Sequence, residues 1–127
     1  MSVVVDTSIW IEYFRGKGAA ELDQLLNEGL AVIAPVVAAE LFSAPLTRAE
    51  RRELGALLAN LPIHPTPLTH WLSVGQLRAE LSRGGLQVST PDAHVARCAL
   101  ESESHVWSRD NVFQRIAKHT ELKLFRP

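Results

Sequence analysis

The chain predicts an α/β fold built on a mostly parallel sheet, and three observations carry that reading. Short β-branched runs alternate with longer stretches of helical apolar spacing. Gly16, Gly29, Pro45 and Gly84-Gly85 fall at joints between them. Acids stand at the ends of two strand-like runs: Asp6 follows Val3-Val4-Val5, and Asp110 ends His105-Val106-Trp107-Ser108-Arg109. Sites in parallel sheets form beyond the carboxyl ends of strands, which is where both acids fall.

Each element has its own justification. Residues 2–5 read as a buried strand because the β-branched run leaves no polar face. Asp6-Thr7-Ser8 offers caps to a helix over 9–14, which Gly16 and Gly18 stop. Leu22, Leu25 and Leu26 mark one face of a helix over 19–27, ended by Gly29, and 30–33 form a second strand. Pro35 suits the first turn of a helix reaching about Ser43, and Pro45 breaks it. Thr47-Arg48-Ala49-Glu50 is a capping box, followed by the stripe Leu54, Leu57, Leu58 and Leu61. Residues 63–65 are a short strand weakened by flanking prolines.

A helix over 68–81 places Leu68, Leu72, Gly75 and Ala79 in register, and Gly84-Gly85 closes it. Thr90 as cap and Pro91 in the first turn start a helix that runs to about Glu103. Residues 105–108 read as a strand, 111–118 as a short helix and 122–125 as a last strand.

A length of 127 residues, 46% hydrophobic and 21% charged with mean hydropathy +0.03, suits one globular domain spanning 1–127. No apolar run approaches the roughly 20 residues of a membrane span, and residues 1–6, with no basic region and an early acid, are not expected to act as a signal peptide. The single cysteine, Cys98, allows no intramolecular disulfide and suits a reducing compartment, so a cytoplasmic location is expected. Net charge −1 and pI near 6.5 say little about partners; a nucleic-acid substrate would have to be held by local arginines and metal rather than by bulk charge. Arg48, Arg51 and Arg52 lie among Glu50 and Glu53 and read as a solvated helix face.

Asp6, Glu40, Asp92 and Asp110 are separated by 34, 52 and 18 residues, and the first three border or interrupt apolar stretches. Lone carboxylates resist burial, and several together repel unless a cation neutralises them, so the set points to a hard metal ion. Each also has a plainer reading. Asp6 suits a helix N-cap. Glu40 shares a helix face with Val36 and Val37, or points to solvent. Asp92 lies on the stripe of Val95, Ala96, Ala99 and Leu100, in a first turn whose dipole favours an acid. Asp110 suits a cap to the short helix after it. Thr7, Ser8 and Ser108 are small hydroxyls fit to orient a carboxylate or a water, or to cap and turn.

His64, His70, His94, His105 and His119 show no zinc-ligand spacing, and one cysteine builds no thiolate cluster; structural roles are expected for them. His94, two residues from Asp92, points about 200° away around the helix. Trp10, Trp71 and Trp107 fall among apolar residues and are expected in the core.

The four acid segments resemble the PIN domain, and specifically its VapC-type toxin ribonucleases. Val4-Val5-Asp6-Thr7-Ser8-Ile9-Trp10-Ile11 and Val37-Ala38-Ala39-Glu40-Leu41 are similar to the first two motifs of that family. Ser89-Thr90-Pro91-Asp92-Ala93-His94-Val95-Ala96 and Trp107-Ser108-Arg109-Asp110-Asn111-Val112-Phe113 are similar to the third and fourth. The resemblance spans nearly the whole chain. It implies a three-layer α/β/α fold and Mg²⁺- or Mn²⁺-dependent cleavage of structured RNA, tRNA or rRNA, leaving 5′-phosphate and 3′-hydroxyl ends. Asp6 and Asp92 would hold a first ion, Glu40 would join directly or through water, and Asp110 would serve a second ion or a water. Homodimerisation and a cognate VapB-type antitoxin are implied too. Val112 stands where some members carry a further acid, and His94 where aliphatic residues are frequent, at the rim of the site. Alternatives are a catalytically silent PIN-like module binding RNA or protein, and a PIN nuclease of RNA processing. An aspartyl-phosphate phosphatase fits less well, since Ser8 stands where such sites place a second acid.

Overall fold

The computed structural model describes residues 1–17 and 20–127. The order is β1 (Val3–Val5), α1 (Thr7–Phe14), α2 (Ala20–Asn27), β2 (Ala31–Val32), α3 (Pro35–Phe42) and α4 (Arg48–Ala59). Then come α5 (Leu68–Arg83), α6 (Thr90–Ser102), β3 (His105–Trp107), α7 (Val112–Ala117) and β4 (Lys123–Leu124). The expected stop at Gly18 and helix start at Ala19 lie outside the described residues.

All strand pairs are parallel, in the order β2-β1-β3-β4. The three valines of β1 are 0% exposed, so helices cover both faces of the sheet and the fold is three-layered α/β/α. Trp10 on α1 is equally buried, and its indole N–H donates to Val5 O at 3.1 Å, locking helix to strand. From β1 the chain winds to β2 on one side, and it reaches β3 on the other side only later. Strand order therefore reverses beside β1, and the carboxyl ends of β1 and β3 open a crevice there.

Local chemistry explains most boundaries. Gly29 at φ +69° lets the Leu30 N–H reach Leu25 O at 2.8 Å, turning α2 directly into β2. The capping box at α4 is formed: Thr47 Oγ1 accepts the Glu50 N–H at 3.1 Å, and Glu50 Oε1 accepts the Thr47 N–H at 2.8 Å. Such a cap contributes about 1 kcal/mol.

Several expectations need correction. Residues 63–65 form a single bridge, Ile33 to Ile63, because Pro62 and Pro65 have no N–H to extend a ladder. Ser89, not Thr90, caps α6, accepting the Asp92 N–H at 3.3 Å. The helix ends at Ser102, since Glu103 turns left-handed at φ 54° and the Ser104 N–H reaches Ala99 O at 2.8 Å.

On α5 the stripe of Leu68, Leu72, Gly75 and Ala79 faces outward, with Leu68 72% and Leu72 64% exposed. His70, Val74, Leu77 and Leu81 are buried instead. A helix carrying two apolar stripes does not reveal by periodicity which one meets the core, and His70 can join the buried stripe because distant partners satisfy its polarity. Trp71 is 37% exposed, unlike Trp10 and Trp107. Among the described residues, no helix is long and apolar enough to cross a membrane.

Candidate metal centre

Asp6 emerges from β1 with its N–H bonded to Trp107 O at 2.9 Å, continuing the pairing with β3. Its backbone is the N-cap of α1, yet its side chain makes no cap hydrogen bond. Oδ2 accepts from Ser108 Oγ at 2.6 Å instead, so the capping alternative does not describe this carboxylate. It is 9% exposed. Burial raises its pKa above the ordinary 3.8; Ser108 and the Thr7 N–H draw it down, while the charges of Asp92 and Glu40 push it further up.

Asp92 is half-buried in the first turn of α6. Burial raises its pKa too, the Ser89 hydrogen bond opposes this, and the charge of Asp110 adds to it. The charges of Asp92 and Glu40 thus act on Asp6, and that of Asp110 on Asp92. Acids scattered along the sequence are therefore near enough for Asp6 and Asp92 to sense their neighbours' charge.

Glu40 is exposed, because α3 buries Val37 and Leu41 and leaves Glu40 beside them at the edge. Its Oε1 accepts from Thr7 Oγ1 at 3.0 Å, which ties it to the residue after Asp6. Asp110 is exposed as well; Asn111, not Asp110, stands at the N-cap of α7, and Asp110 Oδ1 accepts the Val112 N–H at 2.9 Å. Ser108 joins the two strand ends, since its hydroxyl donates to Asp6 and accepts the Asp110 N–H at 3.0 Å. Ser8 Oγ accepts the Arg109 N–H at 3.1 Å and lies 3.5 Å from Ser108 Oγ.

Sequence reasoning missed one support. Arg109 grips Glu12 of α1 with Nε to Oε2 at 2.9 Å and Nη2 to Oε1 at 3.0 Å, fastening the loop that presents Ser108 and Asp110. No local pattern flags a pair separated by nearly the whole chain. The donor set is all oxygen, two of its carboxylates are held above their ordinary pKa, and this chemistry fits Mg²⁺ or Mn²⁺.

The histidines hold a second surprise. Among the described residues, donors of His64, His70 and Cys98 come within 4.8 Å of one another, which spacing along the chain did not reveal. His94 is 0% exposed and lies in the interior, not at the rim of the acid site. The Val36 N–H points at His94 Nε2 at 3.4 Å, His94 Nδ1 lies 2.8 Å from His70 Nε2, and His70 Nδ1 lies 2.7 Å from Glu101 Oε1. The first contact makes Nε2 an acceptor, so one set of neutral tautomers donates stepwise toward Glu101. Burial, then the neighbouring His70 and His64, lowers the His94 pKa to about 4. Burial works against the Glu101 charge, but hydrogen bonds from His70, His64 and Arg97 outweigh it and bring its pKa to about 2.

A four-stranded parallel sheet with acids gathered where its strand order reverses defines a PIN-type α/β domain. The chain belongs to the PIN-domain family, whose model matches residues 3–119. It is 31% identical over 128 residues to Ribonuclease VapC11 of Mycobacterium tuberculosis, and equally to VapC ribonuclease Mb1587 of Mycobacterium bovis. Those alignments cover 95% of this chain and 96% of each relative. Its fold is similar to that of a chain in the crystal structure of VapBC2 from Rickettsia felis bound to a DNA fragment from their promoter. The TM-score is 0.78, at 21% identity over 98% of both chains.

Proposed function

We propose that this chain is the toxin of a toxin–antitoxin pair, an endoribonuclease that depends on Mg²⁺ or Mn²⁺ and cuts structured RNA. The observation that carries the reading is the 31% identity across 95% of the chain to proteins named as VapC ribonucleases. Asp6, Glu40, Asp92 and Asp110, at and around the crevice, would supply the chemistry. Asp6 and Asp92 would hold the principal ion, Glu40 would join directly or through water, and Asp110 would serve a second ion or orient a water. Such an ion supplies Lewis acidity for attack of water at phosphorus and charge neutralisation on the leaving oxygen.

The chain's own part is to keep its carboxylates ionised and aimed. Ser108 holds Asp6, Thr7 holds Glu40, and the Glu12–Arg109 fork keeps the β3–α7 loop in place. The partner we infer is a VapB-type antitoxin; similarity to a chain of the VapBC2 structure supports it. A single domain over 1–127, working in the cytoplasm as a homodimer, completes the reading, and the outward apolar stripe of α5 supports the dimer.

Asp6→Asn or Asp92→Asn is expected to abolish cleavage of total RNA while circular dichroism shows a folded chain. Full Mg²⁺-dependent cleavage by the purified double variant would overturn the assignment.

A further inference from the structure

We propose that His64, His70 and Cys98, with Glu101 beside the two histidines, form a second metal site, for one zinc-class divalent ion, separate from the carboxylate crevice. His64 comes from the segment bridged to Ile33, His70 from the first turn of α5, and Cys98 and Glu101 from the last turns of α6. Glu101 lies about 14 Å along the α6 axis from Asp92, at about 1.5 Å per residue. The two sites therefore share a helix but no ligand.

The geometry points to a cation. His64 Nε2 and His70 Nδ1 both converge on one carboxylate oxygen, Glu101 Oε1, at 2.8 and 2.7 Å. Two N–H protons aimed at one oxygen mark the place that a divalent ion takes when it replaces them. Cys98 adds a sulfur, and its donor lies within 4.8 Å of those of both histidines. Ligands of a tetrahedral zinc ion at about 2.0–2.3 Å stand roughly 3.3–3.8 Å apart. The imidazoles and carboxylate must part by about half an ångström and the sulfur must close in for such an ion to bind.

Nitrogen, sulfur and a single oxygen select a borderline ion such as Zn²⁺ over Mg²⁺. Further contacts resemble the support that metal-binding histidines usually have. The other ring nitrogen of His70 is held by His94 at 2.8 Å, and Arg97 Nε fixes Glu101 Oε2 at 3.3 Å. Trp71 stacks on His94 at 4.5 Å between ring centres and lids the cluster.

Loading the site breaks the Cys98 S–H bond and forms a metal–sulfur bond. The proton leaves to solvent and no electron moves. Burial raises the Cys98 pKa to about 12, so the thiol is neutral until a cation arrives, and a bound cation deprotonates it. On His70, metal at Nδ1 moves the remaining proton to Nε2, which then donates to His94 Nδ1. His94 must in turn carry its proton on Nε2, 3.7 Å from the Cys98 sulfur, and the Val36 N–H of α3 loses its acceptor. Without metal the same groups satisfy one another by hydrogen bonds, and loading exchanges those bonds and the Val36 contact for metal–ligand bonds.

The test uses the full wild-type chain in excess Mg²⁺, which occupies hard oxygen sites, titrated with Zn²⁺ by calorimetry and with Co²⁺ by absorption. About one Zn²⁺ per chain is expected, with release of about one proton, and Co²⁺ should give tetrahedral bands plus a thiolate-to-cobalt charge-transfer band. Cys98→Ser should abolish that band, and His64→Ala, at a partly exposed position, should weaken Zn²⁺ binding ~10-fold or more. The Asp6→Asn/Asp92→Asn double variant should bind Zn²⁺ as wild type does, which separates failure here from failure of the nuclease reading. No stoichiometric binding, or binding indifferent to both Cys98→Ser and His64→Ala, would leave only a hydrogen-bonded core and overturn the proposal.

Discussion

Ser108 shows how much one hydroxyl can organise. It donates to the most buried acid, Asp6, accepts from the backbone of Asp110, and so couples the ends of β1 and β3. Its hydrogen bond opposes the burial that raises the Asp6 pKa. Ser108→Ala should therefore raise that pKa further and loosen the carboxylate. The expected loss is ~10–100-fold in cleavage rate at limiting Mg²⁺, the range for removing a group that orients a metal ligand. Ser108→Thr, which keeps the hydroxyl, should retain most activity. A metal titration of cleavage rate decides it, and equal rates for Ser108→Ala and wild type would remove Ser108 from the site.

At the scale of elements, α6 is the organising helix. Its first turn presents Asp92, its middle packs Val95, Ala96 and Ala99 into the core, and its last turns present Cys98 and Glu101. Its end is costly in one respect. Glu103 occupies a left-handed conformation that disfavours residues with a Cβ by about 1 kcal/mol. Glu103→Gly should raise unfolding stability by about that amount in urea melts with unchanged m-value, and a destabilised variant would show that the Glu103 side chain makes a compensating contact.

The neighbouring helix α5 is exposed along Leu68 and Leu72. If this stripe is the dimer face, Leu72→Glu should convert a dimer to a monomer in sedimentation velocity while leaving helix content intact. A variant that sediments as wild type does would place the dimer surface elsewhere or remove it.

For the whole molecule, the acid site trades stability for function. Asp6 and Asp92 have pKa values raised above 3.8 in the fold. Their contribution to stability is fully present below that unfolded value and is lost as pH rises through the raised folded values. At neutral pH the metal-free chain thus carries ionised carboxylates under like-charge stress, which a cation bound there would relieve. Mn²⁺ should raise the melting temperature near pH 7 and do so much less where the carboxyls are protonated. Asp92→Asn should shrink the shift. Melting curves indifferent to Mn²⁺ at neutral pH would count against the metal centre.

The sequence by itself determined the alternation of short strands and helices, the capping box at Thr47 and the identity of the four acids. These rest on residues adjacent in the chain: β-branched runs, caps, and acids set beside apolar stretches. It also placed Asp6 and Asp110 at strand ends, since a carboxylate following a buried strand is a local pattern. Tertiary structure alone decided which stripe of α5 meets the core, that Asp6 bonds to Ser108 rather than capping α1, and that Glu40 stays at the edge. It also decided that Glu12 meets Arg109 and that His64, His70 and Cys98 converge. The physical reason is common to all of these. Periodicity and capping act over three or four residues, whereas partners far apart in sequence meet only through strand order and helix packing, which spacing along one chain does not encode.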